Sequence, residues 1–157
     1  MNSQIKYIKE VAQKALVSAD CMSLPVDVKK VAEKFGLSVI EFDFIDSISG
    51  VLKKDRNVIG VNKKHSKVRQ RFTIAHELGH FLLGHDIGKN EDILDDNSEK
   101  PIHTEREANI FASELLMPHD LLVNEVKKEK IDLKRLASIF DVSEQAISIR
   151  LLNSNLI

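Results

Sequence analysis

One cysteine in 157 residues, Cys21, excludes an intrachain disulfide and fits a reducing compartment. Met22 and Leu24 beside it make Cys21 a small apolar filler rather than a nucleophile or ligand. Neither charge is in excess. The 23 Lys and Arg residues nearly cancel 24 Asp and Glu residues, which removes any global reason to expect nucleic acid or an anionic membrane as partner. No apolar run is long enough to span a membrane. Lys6, Lys9, Glu10 and Lys14 interrupt what would otherwise be a signal-peptide core, so the expected address is the cytoplasm. Internal repeats and low-complexity segments are absent as well. What remains, 43% hydrophobic and 30% charged residues, is the balance of a soluble globular chain of one-domain size.

Against that background one stretch stands out, Ile74-Ala75-His76-Glu77-Leu78-Gly79-His80-Phe81-Leu82. An α-helix turns about 100° per residue, so His76 and His80 lie one turn apart on one face and can present two imidazoles to a single metal ion. Glu77, next to the first of them, is placed to hold and deprotonate a water on that metal rather than to bind the metal itself. Neutral imidazoles leave most of the charge of Zn²⁺ in place, which is what activates water near neutral pH. The surroundings are apolar nearly all round (Phe72, Ile74, Ala75, Leu78, Phe81, Leu82, Leu83), so this helix is expected to be buried. Buried imidazoles and carboxylates need partners. Gly79 disfavours a helix interior by about 1 kcal/mol relative to alanine, which makes sense if a neighbour must approach closely there.

Before this helix, Ser3 to Ala19 has the spacing of an amphipathic helix. Leu24-Pro25-Val26-Asp27 opens a second one, with proline near its first turn and Gly36 as its stop. The period then changes to two. Leu37 to Phe44, Ile48 to Lys53 and Asn57 to Asn62 read as three strands of a small antiparallel sheet, with Lys54-Asp55-Arg56 as a turn. One sheet edge could take an extended peptide by strand addition. Lys67, Arg69 and Arg71 run into the central helix and read as a solvated basic face. After it, Gly84 to His103 reads as a long polar loop able to lie over a cleft. His85, nine positions after His76, falls about half a turn off the ligand face and is not expected to be a ligand. His103 is a candidate for stabilising an oxyanion.

A catalytic zinc takes three protein ligands and keeps one position open. The third is expected from the helix Thr104 to Met117, ended by Pro118. Two carboxylates compete. Thr104 with Glu107 three residues later has the form of a capping box, which would occupy Glu107 and leave Glu105 for the metal. Glu105 is therefore the favoured ligand, with Glu107 the competitor. Asn109, one turn after Glu105, is placed to orient a ligand from behind.

These pieces together carry a resemblance. Pro25-Val26-Asp27-Val28 leading to Phe35-Gly36, then Arg71 to His80, then Glu105 to Ala112 with Leu115-Leu116-Met117-Pro118, resemble the ImmA/IrrE family of cytoplasmic bacterial metallopeptidases over Leu24–Pro118, about 60% of the chain. The resemblance implies an α+β, zincin-like core, mostly helical with a small sheet. It implies zinc held by His76, His80 and a glutamate of the Glu105 segment, with Glu77 as general base. It also implies a protein substrate, a helix-turn-helix transcriptional repressor whose cleavage releases stress-response, mobile-element or toxin–antitoxin genes.

The tail has its own pattern. His119 to Lys130 reads as a short charged helix. Leu133 to Leu152 follows helix-turn-helix spacing with Ser143 as a cap, but Asp141 stands where the turn glycine is usual. The would-be recognition helix offers Arg150 as its one cation, too few for phosphate contacts, so partner recognition or packing is favoured over DNA binding. The expectation is a single domain, 1–157, in which a catalytic core, 1–118, carries a helical extension, 119–157, packed on it. The rival to a zinc endopeptidase is a non-catalytic module that keeps the fold and holds a protein or DNA through these C-terminal helices.

Overall fold

In a computed structural model, residues 2–86, 93–95 and 102–157 are described, the segment 93–95 by its backbone. Seven helices and a small mixed sheet are seen among them. Helix α1 (Ser3–Ala19) starts where the Asn2 side chain accepts from the Gln4 amide at 2.8 Å and ends at Asp20. Its stripe Ile8, Ala12, Ala15 and Leu16 is fully buried, as its period requires. Helix α2 (Val28–Lys34) is capped by Asp27, which accepts from the Lys30 amide at 3.1 Å. Pro25 lies ahead of this cap rather than in the first turn. Gly36, with φ +83°, turns the chain out of the helix as its composition suggested.

Strands β1 (Ser38–Phe42), β2 (Ile48–Lys53) and β3 (Val58–Asn62) form where the period of two placed them. Their pairing corrects the sequence expectation. The sheet is mixed, in the order β1-β3-β2 with a fourth strand beyond β2, because β1 runs parallel to β3 while β2 and β3 form an antiparallel hairpin. The reason lies in burial. Strand β3 is buried along nearly its whole length and takes an inner position, whereas β1 is mostly exposed and lies at the rim. Alternation reports which face of a strand is buried, and it carries no information on the direction of the neighbour. A short β4 (Ile93–Asp95) adds to β2 in antiparallel pairing, inside the stretch read as loop. The rest of the expected cleft-covering loop, 87–92 and 96–101, lies outside the described residues.

Helix α3 (Lys67–Leu82) packs against β2 on one side and helix α4 (Ile102–Leu116) on the other. Both contacts depend on a missing side chain. A Cβ on Gly50 would lie 2.5 Å from Thr73 Cγ2, and a Cβ on Gly79 would lie 2.9 Å from Phe111 Cδ1. The helix-interior glycine thus has the close neighbour its cost implied.

Helices α5 (His119–Lys128), α6 (Leu133–Phe140) and α7 (Glu144–Asn153) complete the chain. Ser143 caps α7 by accepting from the Ala146 amide at 3.0 Å. Two arginines tie these helices down. Arg71 was expected on a solvated basic face; instead it donates to the carbonyls of Val26 (2.7 Å) and Asp141 (3.1 Å) and pairs with the Asp141 carboxylate at 3.3 Å. This gives Asp141 a reason to hold the left-handed turn position, φ +53°, where glycine is usual. Arg150 is 3% exposed, donates to the Met117 carbonyl at 3.0 Å and pairs with Glu114 at 2.8 Å. The one cation of α7 therefore faces the protein interior. Among the described residues no helix is long and apolar enough to cross a membrane.

Removing one partner of a buried ion pair leaves the other desolvated and unpaired. Arg150→Ala is expected to lower the unfolding free energy by about 3 kcal/mol, at the low end for such pairs because Lys9 stays 3.4 Å from Glu114. Urea unfolding checks this, and a loss below about 1 kcal/mol would contradict it.

Candidate metal centre

About two buried turns of α3 carry the site, from Thr73 to His80. His76 and His80 project from one face, their Nε2 atoms 3.1 Å apart and their rings nearly perpendicular. Across from them, in the first turn of α4, Glu105 brings one carboxylate oxygen to 3.0 Å from His76 Nε2 and the other to 3.0 Å from His80 Nε2. The Phe111 ring on Gly79 sets the separation of the two helices, and that separation brings the carboxylate into reach. Ligand atoms of His76, His80 and Glu105 all fall within 4.8 Å of one another, a grouping able to hold a metal ion.

The chemistry of the donor set fits a cation. Asn109 Oδ1 lies 2.8 Å from His76 Nδ1 and can only accept, so the proton of a neutral His76 sits on Nδ1. Its Nε2 then turns a bare lone pair toward an anionic oxygen at 3.0 Å, an arrangement that requires a positive charge between them. Without metal that charge is a second proton. Burial disfavours it, but the hydrogen bond to Glu105 and the charges of Glu77 and Glu105 outweigh burial and raise the His76 pKa. Burial also opposes the charge of Glu105, yet its close approach to the imidazoles of His76 and His80 overcomes it and holds the carboxyl well below its usual range. His80 is shifted the other way, downward, by its own burial in the first place. The donor spacings of 3.0–3.1 Å come near the edge of about 3.3 Å expected for a tetrahedron of ligands about 2.05 Å from zinc.

Glu77, beside His76, is 4% exposed and faces the sheet, its Cγ 3.9 Å from where a Cβ on Gly50 would stand. Glycine in β2 thus lets the strand lie against Thr73 beside this side chain. Asn109 stands behind His76 as its spacing suggested. The capping box does not form. Helix α4 begins at Ile102, ahead of Thr104, and Glu107 instead takes hydrogen bonds from Gln4 Nε2 and His85 Nε2. Glu107 is taken up by Gln4 and His85 all the same, and Glu105 is the carboxylate brought to His76 and His80. His103, the oxyanion candidate, has an 81% exposed side chain and lies 3.6 Å from Glu107 rather than among His76, Glu77 and His80.

Sequence reasoning set His85 aside, and the structure puts it directly behind the site. Its Nδ1 is 2.8 Å from His80 Nδ1 and its Nε2 is 2.9 Å from Glu107. Extrapolating a straight helix gave the wrong position because the helix ends first. Gly84, at φ +70°, closes α3 with bonds from Gly84 N–H to Phe81 O (3.3 Å) and from His85 N–H to His80 O (3.0 Å). That reversal folds His85 back over His80. The signal was in the sequence, as a glycine two residues past the last helical position.

Comparison with known proteins agrees with this architecture. A family profile for the IrrE N-terminal-like peptidase domain matches residues 29–152. The radiation response metalloprotease IrrE of Deinococcus radiodurans is 34% identical over 83 residues. That match takes in 50% of this chain and 25% of that protein, so the chain spans about a quarter of the curated relative's length. A Mycobacterium tuberculosis transcriptional regulator has the same fold over 93% of this chain and 46% of its own, with a TM-score of 0.66 at 16% identity.

A metal bound here would compete with the second proton of His76. Zinc affinity is expected to fall as pH drops through the raised His76 pKa, by about tenfold per unit below it. Chelator competition from about pH 8 down to about pH 5.5 measures this, and a flat profile would contradict the assignment.

Proposed function

The chain belongs to the IrrE N-terminal-like peptidase family, and on that premise we propose that it is a zinc-dependent endopeptidase acting on a protein substrate. The observation that carries the reading is the convergence of His76, His80 and Glu105 at 3.0–3.1 Å with Glu77 one residue from the first of them. His76 Nε2, His80 Nε2 and the Glu105 carboxylate would hold the metal. Zinc, when bound, supplies Lewis acidity to the attacking water and to the scissile carbonyl. The protein does the rest. Asn109 fixes the ring of His76. Glu77, only 4% exposed, accepts the proton of the attacking water and passes it to the departing amine. Gly50 lets the β2 strand lie close against Thr73 and wall in Glu77.

The substrate we propose is a helix-turn-helix transcriptional repressor, cleaved in the cytoplasm so that stress-response, mobile-element or toxin–antitoxin genes are released. Support comes from the family resemblance and from the curated relative, described as a radiation response metalloprotease. A pure binding module acting through α7 is less favoured. Arg150 is spent on Glu114 and Met117 rather than offered to phosphate or an acidic partner.

Glu77→Gln separates catalysis from binding. It is expected to keep about one zinc per chain and to reduce cleavage by about 10²–10⁴-fold. The readout is the appearance of new N-termini in cells expressing wild type or the variant. Equal cleavage in both would end the enzyme reading.

A further inference from the structure

The mechanism above leaves a buried imidazole–carboxylate pair without a task, His85 and Glu107. We propose that this pair is a positioning relay which fixes the proton of His80 on Nδ1 and so turns His80 Nε2 into a metal donor; this rests on the metal-binding reading. Glu107 is anchored on helix α4 and accepts from Gln4 Nε2 on helix α1 and from His85 Nε2. Gln4 Nε2 can only donate, so it engages one Glu107 oxygen as an acceptor and leaves the other, 2.9 Å from His85 Nε2, to accept as well. His85 Nε2 must then carry a hydrogen. A neutral imidazole has one, so His85 Nδ1 is a lone pair. At 2.8 Å from it, His80 Nδ1 has to be the donor. The remaining nitrogen of His80 is left bare, facing Glu105 at 3.0 Å.

Each link is held from another element. The Schellman turn at Gly84 brings His85 over His80. The Lys54 ammonium, from the β2–β3 turn, donates to the His85 carbonyl and holds that segment from outside. Helix α1 supplies Gln4, so the N-terminal helix reaches the metal site through Glu107. Metal-ligating histidines are commonly oriented by a single carboxylate or carbonyl behind them, as Asn109 does for His76. Here a second histidine lies between ligand and carboxylate, and it passes on the polarity of the hydrogen bond.

Imidazole ¹⁵N–¹H correlation spectra of the metal-free, full-length chain read the tautomer of His80 directly. The expected state is Nδ1–H with a bare Nε2; an Nε2–H tautomer in the wild type overturns the proposal whatever the variants do. Zinc affinity by chelator competition gives the second readout. His85→Leu is expected to weaken zinc binding about 10–100-fold and to move His80 toward Nε2–H. His85→Gln, whose amide oxygen can accept from His80 Nδ1–H, is expected to recover most of both. Unchanged affinity and an unchanged tautomer in His85→Leu overturn the relay while leaving the metal site intact. Absence of zinc binding by the wild type defeats the metal reading itself, and is thereby told apart from failure of the relay.

Discussion

Close packing of helix α4 on helix α3 at Gly79 is the constraint on which the rest of this structure depends. The Phe111 ring occupies the space a side chain at position 79 would need. With the helices that near, Glu105 reaches both histidines at once, each at 3.0 Å. A wider separation would leave two buried imidazoles facing empty space and a carboxylate without partners, and neither is tolerated in an apolar interior. The glycine that weakens the helix locally is what makes the donor cluster possible. Gly50 does the same on the opposite flank, where β2 lies against Thr73 and Glu77.

The cluster is an incomplete electrostatic structure. An anion and two imidazole nitrogens meet away from bulk water, and only a cation between them makes the arrangement favourable. In the absence of metal a proton on His76 fills that role, which is why its pKa rises despite burial. Behind the donors stands a ring of fixed partners: Asn109 for His76, His85 and Glu107 for His80, Gln4 for Glu107. These draw on helices α1, α3 and α4, so the site is a property of how three helices pack rather than of one motif. The C-terminal helices are bound to the same frame through Arg71 and Arg150.

Much of this was legible in the residues. Spacing placed α1, the strand segments and the central helix, and chemistry singled out His76, Glu77, His80 and Glu105. Glu105 was favoured by a partly mistaken route. The capping box that was to occupy Glu107 does not form, yet Glu107 is occupied, by Gln4 and His85. What escaped were relations between distant segments. Strand direction is not written in a period of two, so the parallel β1–β3 pairing was unreadable. Arg71 read as a surface cation, and Arg150 only as too little charge for phosphate, because their partners, a turn carbonyl 70 residues away and a carboxylate 36 residues away, are set by tertiary packing. His85 escaped for a local reason, since a helix stop at Gly84 changes the direction of everything after it.

X-ray absorption at the zinc edge, on protein loaded with zinc and freed of excess, tests the central claim most directly. The account predicts about one zinc per chain, four light-atom ligands near 2.0–2.1 Å and the multiple scattering of two imidazoles. A sulfur ligand near 2.3 Å, a six-coordinate oxygen shell, or a chain that retains no zinc would contradict it.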